Sequence, residues 1–357
     1  MDCKALAQLK AGLLCYGVHV DEEVGKELMK SRPYFYDKGF VHAINTRIYN
    51  SNICVSVAEN FSSVSPYHMR EKDGEFYIED EQSGEQTPIF LFDDLPKTGT
   101  VIDELARPHS NEVISLWPSL VCCYDKPGLK CKFCSIKPTD IQTVAPAQEV
   151  VAGLKALFEK TTRYSINLGG GTHVNPDKMV DYLCEIVKGT RSFTNNGISL
   201  ELAPPSNVEM LKKLKDAGAS SLIMNLEIAN PTLRQEICPG KSRISYEHYY
   251  ASYRYAVEIF GRGKVSCVLI AGIQPDEDII AECEKLTDIG VIPTIIPFKP
   301  MDDCEYREVP NCPSPSLLYI SACVGKMLRK KGLSPEMQEG CTKCGGCSLE
   351  TNYFALE

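Results

Sequence analysis

The chain has 357 residues, 43% of them hydrophobic and 24% charged, with a formal net charge of −9 at neutral pH. This length exceeds one ordinary domain and suits a barrel-sized catalytic domain with smaller attachments. The acidic balance argues against long nucleic acid held through its phosphates, and the lack of an apolar run of about 18 residues argues against a membrane-spanning helix.

A small molecule is therefore the expected ligand. The opening stretch MDCKALAQLKAGLLCYGVHVDEEV has neither a clean apolar core nor a small-residue cleavage site, so no secretory signal is expected. Seventeen cysteines without an export signal place the chain in a reducing cytoplasm rather than among disulfide-bonded secreted proteins.

In chain order, residues 1 to roughly 110 read as a small α+β domain. Helical periodicity covers 5–14 and 22–31, and alternating segments at 52–57 and 75–78 read as strands. From about Glu112 the rhythm changes to strand, loop, helix. Strands are expected at 113–121, 164–168, 198–202, 221–226, 264–270 and 291–296. Helices are expected at 150–160, from Pro176 behind the cap Asn175, at 208–217 before Gly218, at 246–261, at 278–288 before Gly290, and at 316–330. Short apolar strands buried on both faces imply a parallel α/β sheet, either doubly wound or an incomplete barrel. In both, chemistry belongs in the loops beyond the carboxyl ends of the strands. Residues 111–330 make this domain, and residues 331–357 form a tail rich in glycine and cysteine.

The first strand runs into PSLVCCYDKPGLKCKFCSI. Cys131 and Cys134 form a CxxC pair, and Cys123 stands seven intervening residues earlier, across a Pro127–Gly128 turn. Three thiolates are one short of a four-ligand structural zinc site, and are the number that holds a four-iron cluster with one iron open. Structural zinc and uninvolved thiols are the competing readings. Of the doubled Cys122–Cys123, Cys123 is the preferred ligand, with Cys122 on the opposite strand face as a core residue.

A triple-cysteine loop directly after the first strand, ending CxFC, resembles the radical S-adenosylmethionine superfamily over residues 112–330. The resemblance implies a partial (β/α)6 TIM-like barrel and a 4Fe–4S cluster whose open iron is chelated by the methionine part of S-adenosylmethionine. It also implies reductive cleavage to a 5′-deoxyadenosyl radical, fed by an electron donor such as flavodoxin or ferredoxin. The family usually has three residues between the first two cysteines, where this chain has seven. Phe133 matches the aromatic position beside the adenine. Gly169, Gly170, Gly171 and Thr172 match the glycine-rich turn that holds the cofactor, without the family's acidic residue.

Asn225-Leu226-Glu227 resembles the Asn–Leu–Asp triplet of biotin-synthase-like members, whose alternate polar side chains take the ribose hydroxyls. Period-two spacing points Asn225 and Glu227 to one face. Glu201, in ISLELAPP, is a further inward carboxylate; Glu201 and Glu227 are the candidate catalytic residues, against a reading as structural hydrogen-bonders. The family's fifth-strand motif matches AGIQ, with Gln274 where an acid is common. Tyr249 or Tyr250 falls where a basic residue usually pairs the cofactor carboxylate. Lys241 and Arg243, in CPGKSRISY, are the nearest substitutes for that carboxylate or for a substrate phosphate, unless they belong to a solvated charged loop. His173, after the glycine turn, is placed to reach the site, against the commoner reading of a lone histidine as structural.

Cys341, Cys344 and Cys347 make CxxCxxC, a metal-binding spacing, with Cys304, Cys312 or Cys323 as a fourth ligand. Within the superfamily such tails often hold an auxiliary iron–sulfur cluster; the sequence leaves zinc open. Single cysteines such as Cys54, Cys184, Cys267 and Cys283 read as small buried hydrophobes.

The seven-residue cysteine spacing, the N-terminal extension and the CxxCGGCS tail are together similar to the queuosine-salvage lyases, which release queuine from queuosine or its 5′-phosphate. That similarity implies a nucleoside or nucleotide substrate. The alternatives are a radical enzyme that inserts sulfur into, or rearranges, a small metabolite, and a non-catalytic zinc-binding module.

Overall fold

The computed structural model describes residues 2–31, 43–57, 59–119, 121–135 and 144–355. Helix α1 (Cys3–Tyr16) begins at Asp2, whose carboxylate accepts from the Ala5 amide at 2.7 Å. Strand β1 (His19–Val20) and helix α2 (Glu22–Ser31) follow, then β2 (Ala43–Ile48), β3 (Ser51–Ser56), β4 (Tyr67–Lys72), β5 (Glu75–Asp80), β6 (Gln86–Pro88) and β7 (Phe90–Leu91). These strands form a four-stranded sheet in the order β1-β4-β5-β6 and a three-stranded sheet in the order β3-β2-β7. Both expected N-terminal helices and both alternating strands are present.

Next come α3 (Ile102–Leu105), β8 (Ala106–Pro108), β9 (Val113–Ser119), α4 (Ala147–Phe158), β10 (Ser165–Gly170), α5 (Pro176–Arg191), β11 (Ile198–Glu201), α6 (Leu211–Ala217) and β12 (Ser221–Ile223). They are followed by α7 (Pro231–Ile237), α8 (Tyr246–Phe260), β13 (Val265–Ala271), α9 (Asp276–Ile289), β14 (Val291–Pro297) and α10 (Ser314–Lys330). Strands β9 to β14 lie side by side in chain order, every adjacent pair parallel, with β8 antiparallel on the outer edge of β9. A doubly wound sheet reverses direction at a switch point; this one never does.

The large apolar residues of these strands, such as Leu116, Leu168, Leu200 and Leu222, join a core cluster that runs from Leu6 in α1 to Leu349 in the tail. Their neighbours on the other face are small and polar. Ser115, Asn167, Ser199 and Ser221 stand in one register row across β9 to β12. Tail residues 339–342 fill the space over that row. The Glu339 amide donates to Ser221 Oγ and the Cys341 amide to Asn167 Oδ1, while Thr342 Oγ1 donates to Ser266 Oγ on β13 at 2.9 Å. From β10 to β13 three strand spacings span ~14 Å in a flat sheet, whereas four extended residues reach ~10 Å. The sheet therefore curls around the tail. Short helices α11 (Cys341–Cys344) and α12 (Glu350–Phe354) end the described chain.

Two local differences from expectation have physical causes. The fourth parallel strand stops at Ile223, because Asn225 Oδ1 takes the Val268 amide (3.1 Å) and Glu227 turns to a φ of +69°. Helix α7 is extra: Asn230 Oδ1 accepts from the Thr232 and Leu233 amides, with Pro231 in the first turn. Among the described residues no helix is long and apolar enough to cross a membrane.

Candidate active site

At the carboxyl ends of β9 and β10 the chain makes two loops that touch. The Cys123 amide donates to the Thr172 carbonyl (2.8 Å) and the Gly171 amide to the Ser119 carbonyl (3.0 Å). A Cβ on Gly170 would lie 2.3 Å from Ser119 O, and one on Gly171 would lie 2.6 Å from Val121 O. These glycines are thus required by the close approach of the cysteine-bearing segment. A Cβ on Gly169 would press on Glu201 Oε2 and Trp117 Nε1 at 3.1 and 3.3 Å.

The cysteine loop is held by backbone bonds from Lys132 N to Ile237 O, Gly240 N to Leu129 O and Tyr306 N to Lys132 O. Cys123, Cys131 and Cys134 are all half-buried, unlike the fully buried Cys184, Cys267, Cys283, Cys304 and Cys312. Cys122 is half-buried as well rather than a core residue. Cys131 shares a hydrogen bond with the buried thiol of Cys238, which, against burial, holds the Cys131 thiol below its ordinary value; Lys241 lowers it further. Burial and the neighbouring Cys122 push Cys123 up. Three accessible sulfur donors on one pinned loop suit a thiolate-ligated iron–sulfur cluster. Among the described residues, no group of three or more His, Cys, Asp or Glu side chains is set around a single-ion point.

Beside this loop lies a cleft lined by Ser119, the 169–172 turn, Glu201, Asn225 and Lys241. Asn225 Nδ2 donates to Glu201 Oε1 at 2.7 Å, so both ends of its amide are engaged by protein. Burial and the nearby Glu227 raise the Glu201 carboxyl, partly offset by Lys241 and Asn225. Lys241 Nζ meets Glu227 Oε1 at 2.5 Å. Burial alone would lower this ammonium, but Glu227, Tyr249 and Cys131 hold it well above its ordinary value.

Gln274 locks the Glu227 turn. Its Nε2 donates to the Glu227 and Ile270 carbonyls, and its Oε1 accepts from the Ala229 amide. Phe133 packs with Cys131 against Ile228, Ile237 and Cys238. Arg243 is exposed, and its charge acts on Cys123 and Tyr124. Tyr249 donates its hydroxyl to the Asn225 carbonyl and Tyr250 to Glu282, so neither replaces a basic residue in the cleft. His173 makes a local contact with Asn175.

The structure therefore gathers Glu201, Asn225, Glu227 and Lys241 next to the glycine turn, and that turn next to Cys123. Sequence reasoning missed Trp117, whose ring lies 5.2 Å from that of His109, as well as Cys238 and Arg234. Arg234 is fully buried and donates to the carbonyls of Leu226, Lys241 and Ile244. A lone aromatic, thiol or cation within an apolar run carries no spacing signal.

Residues 123–286, somewhat under half of the chain, match the family model described as the Radical SAM superfamily. The chain is similar to the bacteriochlorophyllide c C-7(1)-hydroxylase of Chlorobaculum limnaeum, at 22% identity over 236 residues, covering 59% of this chain and 58% of that relative. It thus spans less than two thirds of the length of this curated relative.

Among solved structures, HydG, a maturase of the FeFe-hydrogenase, aligns with a TM-score of 0.50 at 16% identity over 65% of this chain and 57% of its own. At this identity the likeness speaks to the fold. Methylornithine synthase (PylB) aligns at 0.49, 15% identity, 61% of this chain and 62% of its own. HydG from Carboxydothermus hydrogenoformans aligns at 0.46, 19% identity, 60% and 50%.

Proposed function

We propose that this chain is a radical S-adenosylmethionine enzyme that acts on a nucleoside or its 5′-phosphate, cleaving queuosine or queuosine 5′-phosphate to release queuine. The observation that carries the reading is the cleft where Glu201 and Lys241, one carboxylate and one cation, face the same space beside the 169–172 turn. A hydroxyl-rich sugar with an anionic end needs both kinds of partner.

In this reading residues 111–330 form a partial (β/α)6 barrel, flanked by residues 1–110 and closed by the tail 331–357. Cys123, Cys131 and Cys134 would hold the cluster, Phe133 would flank the adenine, and Gly169, Gly170, Gly171 and Thr172 would offer backbone groups to the cofactor. When bound, the cluster with S-adenosylmethionine supplies a 5′-deoxyadenosyl radical. The chain's own residues bind and orient. Asn225 and Glu227 present polar groups to ribose hydroxyls, Glu201 holds or releases a proton at the cleft wall, and Lys241 with Arg243 takes the cofactor carboxylate or the substrate phosphate. A reducing cytoplasm with flavodoxin or ferredoxin as electron donor fits this chemistry.

A second reading, sulfur insertion into a small metabolite, is favoured by the electrostatic coupling of Cys341 and Cys347 to Glu201. Sulfide lost from a tail cluster in one turnover would mark it. The family match over residues 123–286 weighs against a non-catalytic zinc module.

The test is an anaerobic reaction of reconstituted protein with reductant, S-adenosylmethionine and queuosine 5′-phosphate, followed by mass spectrometry. Queuine and 5′-deoxyadenosine formed together are expected. Deoxyadenosine without queuine would overturn the substrate assignment.

A further inference from the structure

The tail cysteines meet the N-terminal region at β3. The Cys54 amide donates to the Gly346 carbonyl (2.8 Å), Asn52 Nδ2 to the Cys344 carbonyl (3.0 Å), and Lys10 Nζ to the Gly345 carbonyl (2.8 Å). The Cys54 and Cys347 thiols are hydrogen-bonded to each other. Cys341 Sγ lies 3.7 Å from His109 Nδ1, and Cys344 Sγ contacts the His109 carbonyl at 3.2 Å. The cysteines named from sequence as the fourth partner lie elsewhere. The Cys312 thiol pairs with Cys15, Cys304 is buried near Glu59, and Cys323 neighbours Cys283. Cys54, read from sequence as core, is half-buried and sits at the tail.

Two further observations point to a bound anionic centre. Cys347 is exposed, so its thiol is open to an incoming metal. Lys10 is 2% exposed, and its ammonium bonds only neutral acceptors: Ser51 Oγ, Gly345 O and Asn352 Oδ1. A buried cation with neutral partners needs negative charge close by. Cys344, Cys347 and Glu350 are the acidic groups near it, but burial pushes Cys344 up to about 12 and Glu350 up to about 7; Lys299 adds a second cation near Cys54 and Cys347.

We propose that Cys54, Cys341, Cys344 and Cys347 form a four-thiolate centre for a soft metal, iron in a cluster or zinc, with Cys54 tying the N-terminal region to the tail. Sulfur donors select these metals, and deprotonated thiolates around one supply the charge that Lys10 lacks. Among the described residues these thiols are not set around a single-ion point, so loading would require their side chains to reorient. Nothing in this site depends on the substrate.

The test uses the full chain with Cys123→Ala, Cys131→Ala and Cys134→Ala, which silences the first loop. It is loaded anaerobically with iron and sulfide in one arm and zinc alone in the other. Elemental analysis, sulfide content and absorption spectra identify the metal. Retained metal is expected, and Cys54→Ser should weaken it at least about tenfold, the loss that even an outer-shell partner causes. Cys304→Ser and Cys312→Ser should leave it unchanged. Full metal in Cys54→Ser, or loss that follows His109→Ala instead, overturns the proposal. If Cys54→Ser fails to fold by circular dichroism, Cys54→His should hold metal with a shifted charge-transfer band, and an unshifted band overturns it. No readout involves S-adenosylmethionine or queuosine, so its failure is separate from failure of the proposed reaction.

Discussion

Glu227 and Lys241 meet at 2.5 Å with side chains only 11% and 14% exposed, and Glu227 holds a left-handed backbone to do so. Removing one member of a largely buried pair leaves the other charge uncompensated. Lys241→Met should therefore lower the unfolding free energy of the metal-free protein by about 3 kcal/mol in urea titrations, and adding Glu227→Gln should recover most of that loss.

Glu350 titrates differently. Burial raises its carboxyl from 4.5 to about 7, against hydrogen bonds from Ser348 and the Ile295 amide, and its Oε2 has no hydrogen-bond partner among the described residues. Because the folded state holds this proton more tightly, its stabilisation is full below pH 4.5 and is lost as pH rises to about 7. Glu350→Gln should abolish that decline and gain about 3 kcal/mol above pH 7, read from denaturant midpoints across pH. Burial lowers Lys10 from 10.5 to about 8, so its effect falls in a separate, more alkaline window.

At the scale of elements, the site depends on a strand that ends early. Four carbonyls beyond its end are taken by hydroxyls from α8: Tyr253 donates to Met224 (2.6 Å), Tyr249 to Asn225 (2.9 Å) and Tyr246 to Ile228 and Ala229, while Glu227 keeps one parallel bridge to β13. Tyr253→Phe strands a fully buried acceptor, and a loss of about 1–3 kcal/mol is expected by thermal melting.

The glycine turn makes a steric prediction. Gly170→Ala drives a Cβ against Ser119 O, so the segment leading to Cys123 must shift. Reduced iron incorporation is expected, together with about 1–3 kcal/mol of lost stability. The strand–helix rhythm was legible because apolar runs, caps and Gly218 or Gly290 stops are local signals. The early end of β12 was not, because it turns on the Asn225 side chain capturing an amide from β13, a contact far off in sequence.

For the whole molecule, the tail acts as internal packing. Residues 339–342 satisfy Asn167, Ser221 and Ser266 inside the curled sheet, and Cys344 to Gly346 dock on Lys10, Asn52 and Cys54. Truncation after Leu333 would remove the tail partners of Asn167, Ser221 and Ser266. The truncated chain is expected to be insoluble or to melt far below the full chain, measured by soluble yield and calorimetry.

The sequence by itself determined the parallel α/β class, the Cys123, Cys131 and Cys134 loop and the Gly169–Gly171 turn. Each is a short-range pattern whose spacing alone carries the chemistry. Tertiary structure alone decided that Glu201 meets Asn225, that Lys241 meets Glu227 and that Cys54 meets Cys347. Such contacts arise from the curl of the sheet and the path of the tail, which bring together residues that share no local period.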